Sequence, residues 1–170
     1  MSEIAESTLV DLYNSAVAAF PNTRFRQHAT QPIKIARIDW IPYLGLKTLF
    51  VKGLAQNEGR EYTPLILFKG VRYHQNEDRN GLVTLVIDDQ QYLLEQLSMA
   101  GNDALVRCNC PDFKWRFNYF DHLDRSLYGV KRSKYEAKLR PGTANPLELP
   151  GMCKHLMKLS QALSDSGIIV

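Results

Sequence analysis

Hydrophobic residues in the first part of the chain recur at three- and four-residue spacing. Within residues 2–20 this repeat comprises Ile4, Leu9, Leu12, Tyr13, Ala16, Val17 and Phe20. Such a period is typical of an amphipathic α-helix. Ser2 can cap the start of this helix, and Pro21 ends it. The pattern predicts a helix that covers a sheet; the alternative is an arm that docks on a partner subunit.

From residue 33 onward the pattern changes to short runs rich in β-branched and aromatic residues. These runs cover residues 33–41, 46–54, 63–68 with 71–74 after a break at Gly70, and 82–87. Polar and glycine-containing segments separate the runs, as expected for strands joined by turns. We therefore expect an antiparallel meander of about four strands. Residues 92–100 fit either a helix or a short strand.

Aromatic and polar residues alternate from Phe113 to Tyr119. A period of two predicts a strand with one aromatic face. A helix is the alternative, because Phe113, Phe117 and Phe120 also lie at helical spacing.

The chain between residues 121 and 151 has little apolar periodicity and is rich in proline and glycine. This composition predicts a long surface insertion. After it, Cys153 opens a predicted C-terminal helix, whose apolar face comprises Leu156, Met157, Leu159 and Leu163.

The composition is that of an ordinary globular protein. The 170 residues suit one domain, and 45% hydrophobic with 23% charged residues can form a packed core. The net charge of +3 is too small to indicate nucleic acid by itself. No apolar run approaches the roughly 20 residues that span a bilayer, so no membrane partner is expected. The acidic N-terminus lacks the order of a signal peptide, and we expect synthesis in a cytoplasm.

The cysteines carry the clearest chemical signal in the chain. Cys108 and Cys110 are too close for an unstrained disulfide, and Cys153 and His155 form a second tight pair. The order Cys-x-Cys … Cys-x-His offers four ligands to one tetrahedral Zn²⁺. Four protein ligands leave no open position, so the predicted zinc is structural. The alternative is three buried apolar cysteines and an incidental histidine. Asp112 is a candidate acceptor for the second ring nitrogen of His155.

These two pairs resemble the SWIM-type zinc finger. The likeness includes the apolar step before Cys108, Phe113 after the second cysteine and the apolar helix after His155, and it covers about residues 104–163. The resemblance implies a ββα arrangement around one structural zinc, with a role in binding DNA or protein.

The segment from Pro111 through Met152 is longer than in ordinary SWIM fingers. With that long segment, the chain is similar to tailed-bacteriophage virion structural proteins that carry a SWIM-like motif. The phrases that carry this likeness are residues 106–113, 140–142, 145–146 and 150–156. The resemblance implies a virion protein, made in the host cytoplasm, that contacts other virion proteins or copies of itself.

Catalytic motifs are not recognisable in the sequence. There is no Walker-type phosphate loop and no Gly-x-Ser-x-Gly elbow. The acidic pairs lie in predicted turns, where solvated carboxylates are the default. We therefore expect a binding protein rather than an enzyme, with no small-molecule substrate.

Basic residues cluster around the predicted aromatic strand and the insertion. They are Lys114, Arg116, Arg125, Lys131, Arg132, Lys134, Lys138 and Arg140. Such a surface can track phosphates while aromatic rings stack on bases, or it can dock on an acidic subunit. The alternative is a solvated loop. Nucleic-acid binding, in DNA metabolism or packaging, is therefore the second functional hypothesis.

Together these patterns predict an α+β fold with an antiparallel sheet. Residues 1–103 supply the N-terminal helix and the sheet. Residues 104–170 supply the SWIM-like zinc region, with the insertion at residues 121–151 and the C-terminal helix. We expect both parts to form one continuous domain.

Overall fold

The computed structural model of the chain describes residues 7–21, 30–75, 80–131 and 145–170. Its fold is α+β, with antiparallel sheets, an N-terminal helix and a C-terminal helix, as predicted. No helix within these residues is long and apolar enough to cross a membrane.

Helix α1 spans Leu9–Ala19 and begins at a capping box. Asp11 N donates a hydrogen bond to Thr8 Oγ1 (3.2 Å), and Thr8 N donates to Asp11 Oδ2 (3.0 Å). Thr8 itself is extended, with φ −88° and ψ 169°, so the helix does not continue upstream through it. The predicted start at Ser2 was therefore wrong for α1, and Ser2 lies outside the described residues. A helical period alone does not locate a cap.

Five of the eight strands occupy the predicted runs, but the strands form two sheets instead of one meander. The larger sheet has the order β1-β2-β4-β8, with β3 paired to the end of β2, and the smaller has the order β5-β7-β6. The strands are β1 (Lys34–Tyr43), β2 (Thr48–Asn57), β3 (Arg60–Tyr62), β4 (Leu65–Phe68), β5 (Tyr73–His74), β6 (Leu82–Ile87), β7 (Gln90–Glu95) and β8 (Ala104–Arg107). The ambiguous segment after residue 90 therefore begins as a strand.

The C-terminal helix α3 spans Lys154–Asp165 with Cys153 as its N-cap, which confirms the predicted helix. Its apolar face, with Leu156, Leu159 and Leu163 fully buried, packs against β1 and β2. Gly53 permits this close approach, because a Cβ there would lie 3.0 Å from Leu159 Cδ1. The packing places the start of α3 beside the sheet.

The aromatic segment is helical, so the predicted strand was wrong. Phe113–Phe117 forms one turn of π-helix, closed by a hydrogen bond from Asn118 N to Phe113 O, and α2 (Asn118–Asp124) follows. Phe113 and Phe117 are buried while Trp115 is 43% exposed. The helical spacing of the phenylalanines therefore outweighs the period of two, because a strand would place Trp115 on the same face as Phe113 and Phe117, whereas a helix turns it away from them.

The described ends of the insertion combine packed and exposed residues. Asp121 and Ser126 are fully buried, and Val106 forms a parallel bridge with Leu127. Arg107 Nη1 donates to the carbonyl oxygens of Tyr128 and Val130, at 3.0 and 2.9 Å. Arg125, Val130 and Lys131 are exposed, as expected for a surface insertion, whereas the buried polar residues Asp121 and Ser126 leave no apolar period that could have revealed the packed part. Residues 132–144 lie outside the described part of the chain.

Candidate metal centre

The two cysteine-containing pairs meet where β8 ends and α3 begins. Cys108 and Cys110 follow β8 directly, while Cys153 caps α3 and His155 lies in its first turn. Antiparallel pairing of β8 with β4 holds the first pair, and packing of α3 on the sheet holds the second. Residues far apart in sequence are thereby brought to one point.

The four side chains have the geometry of a metal centre. One ligand atom from each of Cys108, Cys110, Cys153 and His155 lies within 4.8 Å of all the others. Cys153 Sγ lies 3.9 Å from His155 Nδ1. Tetrahedral zinc with bonds of about 2.3 Å places its ligand atoms about 3.8 Å apart. The four residues therefore fit one metal ion, and each is at most 4% exposed.

The electrostatics of the cluster also favour a cation. Burial raises the pKa of the Cys108 and Cys153 thiols well above the usual range for cysteine. Hydrogen bonds from the Cys108 and Cys153 thiols lower the pKa of Cys110. Phe113 N also donates to Cys110 Sγ at 3.4 Å. A divalent cation at this point would stabilise all three thiolates together.

The start of α3 adds to this effect. The first backbone N–H groups of a helix have no intrahelical acceptor, and the helix dipole is positive at that end. Cys153, at the N-cap of α3, therefore lies where the start of the helix favours the thiolate form of its side chain.

Contacts to His155 come from a hairpin that sequence reasoning did not connect to the metal. Asn57 Nδ2 lies 3.4 Å from His155 Nε2, and the Tyr62 ring centroid lies 4.5 Å from that of His155. Asp112, predicted as the acceptor, instead pairs with Arg116 (Oδ1 to Nη1, 3.1 Å). Since 98 positions separate Asn57 from His155, no local spacing could have revealed the contact.

A polar cleft of about 560 Å³ lies beside the cluster. Cys110 and His155 form part of its wall, together with Arg60, Asp112 and Lys154. The other two cysteines do not line it. Solvent therefore approaches the cluster from the side of the β2–β3 hairpin.

A second polar cluster, also missed by sequence reasoning, holds the base of the insertion. Gly151 N donates to Asp121 Oδ1 at 2.7 Å. Asn145 Nδ2 donates to the carbonyl oxygens of Arg116 (3.0 Å) and Leu149 (2.7 Å). Burial raises the pKa of Asp121 well above its usual range, and its Oδ2 has no hydrogen-bond partner among the described residues. We call Asp121, Asn145 and Gly151 the polar tie.

The predicted contact residues lie only partly within the described structure. Lys114 Nζ lies 4.4 Å from the centroid of the exposed Trp115 ring, and Arg116 pairs with Asp112. Arg125 and Lys131 are exposed. The remaining four, outside the described residues, are Arg132, Lys134, Lys138 and Arg140. Their role as a contact surface stays a prediction.

No family model, no curated protein and no solved structure matches the chain. A buried Cys₃His cluster can hold one metal ion and, with all four corners taken by protein, can clip two segments of the chain together.

Proposed function

We propose that the cluster binds one structural zinc ion and that the protein works by binding other macromolecules, not by catalysis. The observation that carries the zinc proposal is the convergence of three buried sulfurs and one imidazole nitrogen within 4.8 Å. Soft thiolate ligands with one imidazole at tetrahedral corners favour zinc over magnesium or calcium, which prefer oxygen ligands. Four protein ligands leave no place for an activated water.

The zinc ion would close the long segment from Pro111 through Met152 at its base. Cys110 precedes this segment and Cys153 follows it, so the metal holds its two ends within a few ångströms. Closing a loop in this way restricts the unfolded chain more than the folded one. The exposed residues of this segment, such as Trp115 and Val130, are then presented from a fixed base.

Elemental analysis of the purified protein tests the zinc proposal. We expect about one zinc per chain, and loss of most of it in Cys153→Ser and His155→Ala. Asp165→Asn, on the exposed end of α3, is the matched control and should keep its zinc. Metal content that is unchanged in both ligand variants would contradict the proposal.

We propose a structural component of a tailed-phage particle as the biological setting. The support is the sequence resemblance in the phrases around the two ligand pairs. A second support is a candidate metal centre whose four protein ligands suit a structural metal ion better than a catalytic one. The partners would be other virion proteins or further copies of this chain. Mass spectrometry of purified particles tests this setting: stoichiometric copies in the particle are expected, and absence from it would contradict the proposal.

Nucleic-acid binding is the second candidate function, and one specific observation favours it. Trp115 is 43% exposed on the π-helical turn, with Lys114 Nζ 4.4 Å from its ring centroid. An exposed indole beside an ammonium group can stack on a base and contact its phosphate. Single-stranded DNA should then bind with a salt-dependent affinity that falls in Trp115→Ala and Lys131→Ala. Absence of binding at low salt would exclude this function.

A further inference from the structure

The β2–β3 hairpin surrounds the histidine of the metal centre. Asn57 is the last residue of β2, and Tyr62 is the last residue of β3. Both side chains reach the ring of His155: the amide of Asn57 at its Nε2 edge and the Tyr62 ring against its face, tilted by 38°. Asn57 is polar but only 9% exposed, and a buried side-chain amide of this kind requires a hydrogen-bond partner.

The orientation of the imidazole identifies its metal-facing nitrogen. His155 Nδ1 lies 3.9 Å from Cys153 Sγ, on the side of the sulfurs, while Nε2 lies 3.4 Å from Asn57 Nδ2. A neutral imidazole has one lone-pair nitrogen and one N–H. If Nδ1 gives its lone pair to the metal, Nε2 carries the proton and requires an acceptor.

Asn57 can supply that acceptor by a rotation of its side-chain amide alone. The oxygen and nitrogen of a side-chain amide exchange places by a half rotation, and their assignment follows from the hydrogen-bond network. With an Nε2–H opposite, the favourable orientation turns Oδ1 of Asn57 toward His155. Asn57 also lines the polar cleft.

The hairpin also contacts the first half of the metal centre. Thr63 N, directly after β3, donates a 2.8 Å hydrogen bond to Oδ1 of Asn109. Asn109 is the single residue between Cys108 and Cys110. The β2–β3 hairpin and the residue after it therefore contact both ligand pairs of the candidate metal centre.

We propose that Asn57 and Tyr62 are positioning residues for the metal ligand His155, which they hold with Nδ1 toward the metal and Nε2–H bonded to the Asn57 carbonyl. This inference rests on the proposed metal site. Tyr62 covers the ring and limits its rotation, and Asn57 selects the tautomer. Outer contacts of this kind typically change metal affinity by about 10–100-fold.

The test compares three variants of the full chain in a zinc-competition titration with a fluorescent chelator. Asn57→Leu keeps the volume but removes the acceptor, and we expect its zinc affinity to fall about 10–100-fold. Asn57→Asp keeps an acceptor and should bind within a few-fold of the wild type. Gln56→Leu, the next residue along β2, whose side chain bonds Glu61 at the exposed surface, is the matched control and should leave the affinity unchanged.

A spectroscopic measurement separates tautomer selection from simple loss of packing. Long-range ¹H–¹⁵N spectra of the His155 ring in the zinc-loaded wild type should show a metal-bound Nδ1 and a protonated Nε2. A metal-bound Nε2 would overturn the proposal, whatever the variants do. The spectra of the wild type need no substitution, so they still identify the metal-bound nitrogen of His155 if Asn57→Leu fails to fold.

The same variants distinguish a wrong role for the hairpin from a wrong metal site. If Cys153→Ser and His155→Ala keep their zinc, the proposed metal centre is wrong. If those two variants lose zinc while Asn57→Leu binds as tightly as the wild type, only the role of the hairpin is overturned. If Cys153→Ser, His155→Ala and Asn57→Leu all bind zinc more weakly while Asn57→Asp binds it like the wild type, both the metal centre and the role of the hairpin are supported.

Discussion

The base of the insertion is held at two places that differ in chemistry. The cluster of Cys108, Cys110, Cys153 and His155 gathers groups whose charge a metal ion can balance. The polar tie buries the Asp121 carboxyl completely, and among the described residues only the backbone N–H of Gly151 donates to its Oδ1. One site is therefore suited to a cation, whereas the other is suited to a neutral acid.

This difference predicts opposite responses to the same treatment. Removing the cation from the metal centre leaves thiols that burial keeps protonated, and the link between β8 and α3 is lost. Removing the proton from the polar tie leaves a buried carboxylate without a full set of donors, which is costly. Chelators should act on the first site and alkaline pH on the second.

Loss of a metal ligand should have the largest effect. Cys153→Ser removes a sulfur at the N-cap of α3, and we expect the free energy of unfolding to fall by about 4 kcal/mol or more, the range reserved for lost metals and disrupted cores. Thermal melts with and without a chelator measure this. The chelator should lower the Tm of the wild type strongly but barely change that of Cys153→Ser. A chelator-insensitive wild type would mean that no metal links these segments.

Crowding the polar tie should have an intermediate effect. A Cβ on Gly151 would lie 2.7 Å from Phe117 Cε1 and 3.1 Å from Ala16 Cβ, so Gly151→Ala forces α1 and the π-helical turn apart. We expect a loss of about 1–3 kcal/mol in chemical unfolding. Gly45→Ala, where nothing lies within 4 Å of the added atom, is the control and should unfold like the wild type.

Zinc content distinguishes the two sites in that experiment. Gly151→Ala should retain about one zinc per chain, because its strain falls on the polar tie and α1. If Gly151→Ala lost zinc in proportion to its stability, the two sites would be one cooperative unit and the comparison between them would fail.

The smallest predicted effect is a change in pH dependence. Burial raises the pKa of Asp121 in the folded state, so folding takes up a proton at this group. Its stabilising contribution is complete below the pKa of unfolded aspartate, about 3.9, and is lost as the pH rises through the folded value. Asp121→Asn mimics the neutral acid and should remove this dependence.

Urea unfolding between pH 4 and pH 8 measures that change. We expect Asp121→Asn to gain stability relative to the wild type as the pH rises, by about 1 kcal/mol at pH 8, since the amide still accepts from Gly151 N but buries an unpaired N–H. The exposed Asp165→Asn should follow the wild type. A wild type whose stability rises relative to Asp121→Asn across this range would contradict the assignment.

The same two sites show what sequence reasoning can and cannot reach. The four residues of the candidate metal centre are recognisable because each pair is close in sequence and thiol and imidazole are rare, specific ligands. The polar tie uses Asp121, Asn145 and Gly151, which are residue types common in loops, and their contacts are set by tertiary packing. Nothing in their spacing separates them from solvated turn residues.

The aromatic segment and the hairpin show two further limits. From Phe113 to Phe120 the sequence carries both periods, and burial against the rest of the core decides for the helix. Asn57 lies in a segment that is recognisable as a turn between strands, yet its contact with His155 depends on how α3 packs on the sheet. The strands and α3 were predictable from their strong patterns, whereas contacts between distant elements were not.

X-ray absorption spectroscopy of the purified protein at the zinc edge tests the central claim most directly. The account predicts one zinc per chain surrounded by three sulfur atoms at about 2.3 Å and one nitrogen at about 2.0 Å. A sample without zinc, or zinc surrounded only by nitrogen and oxygen, would contradict it.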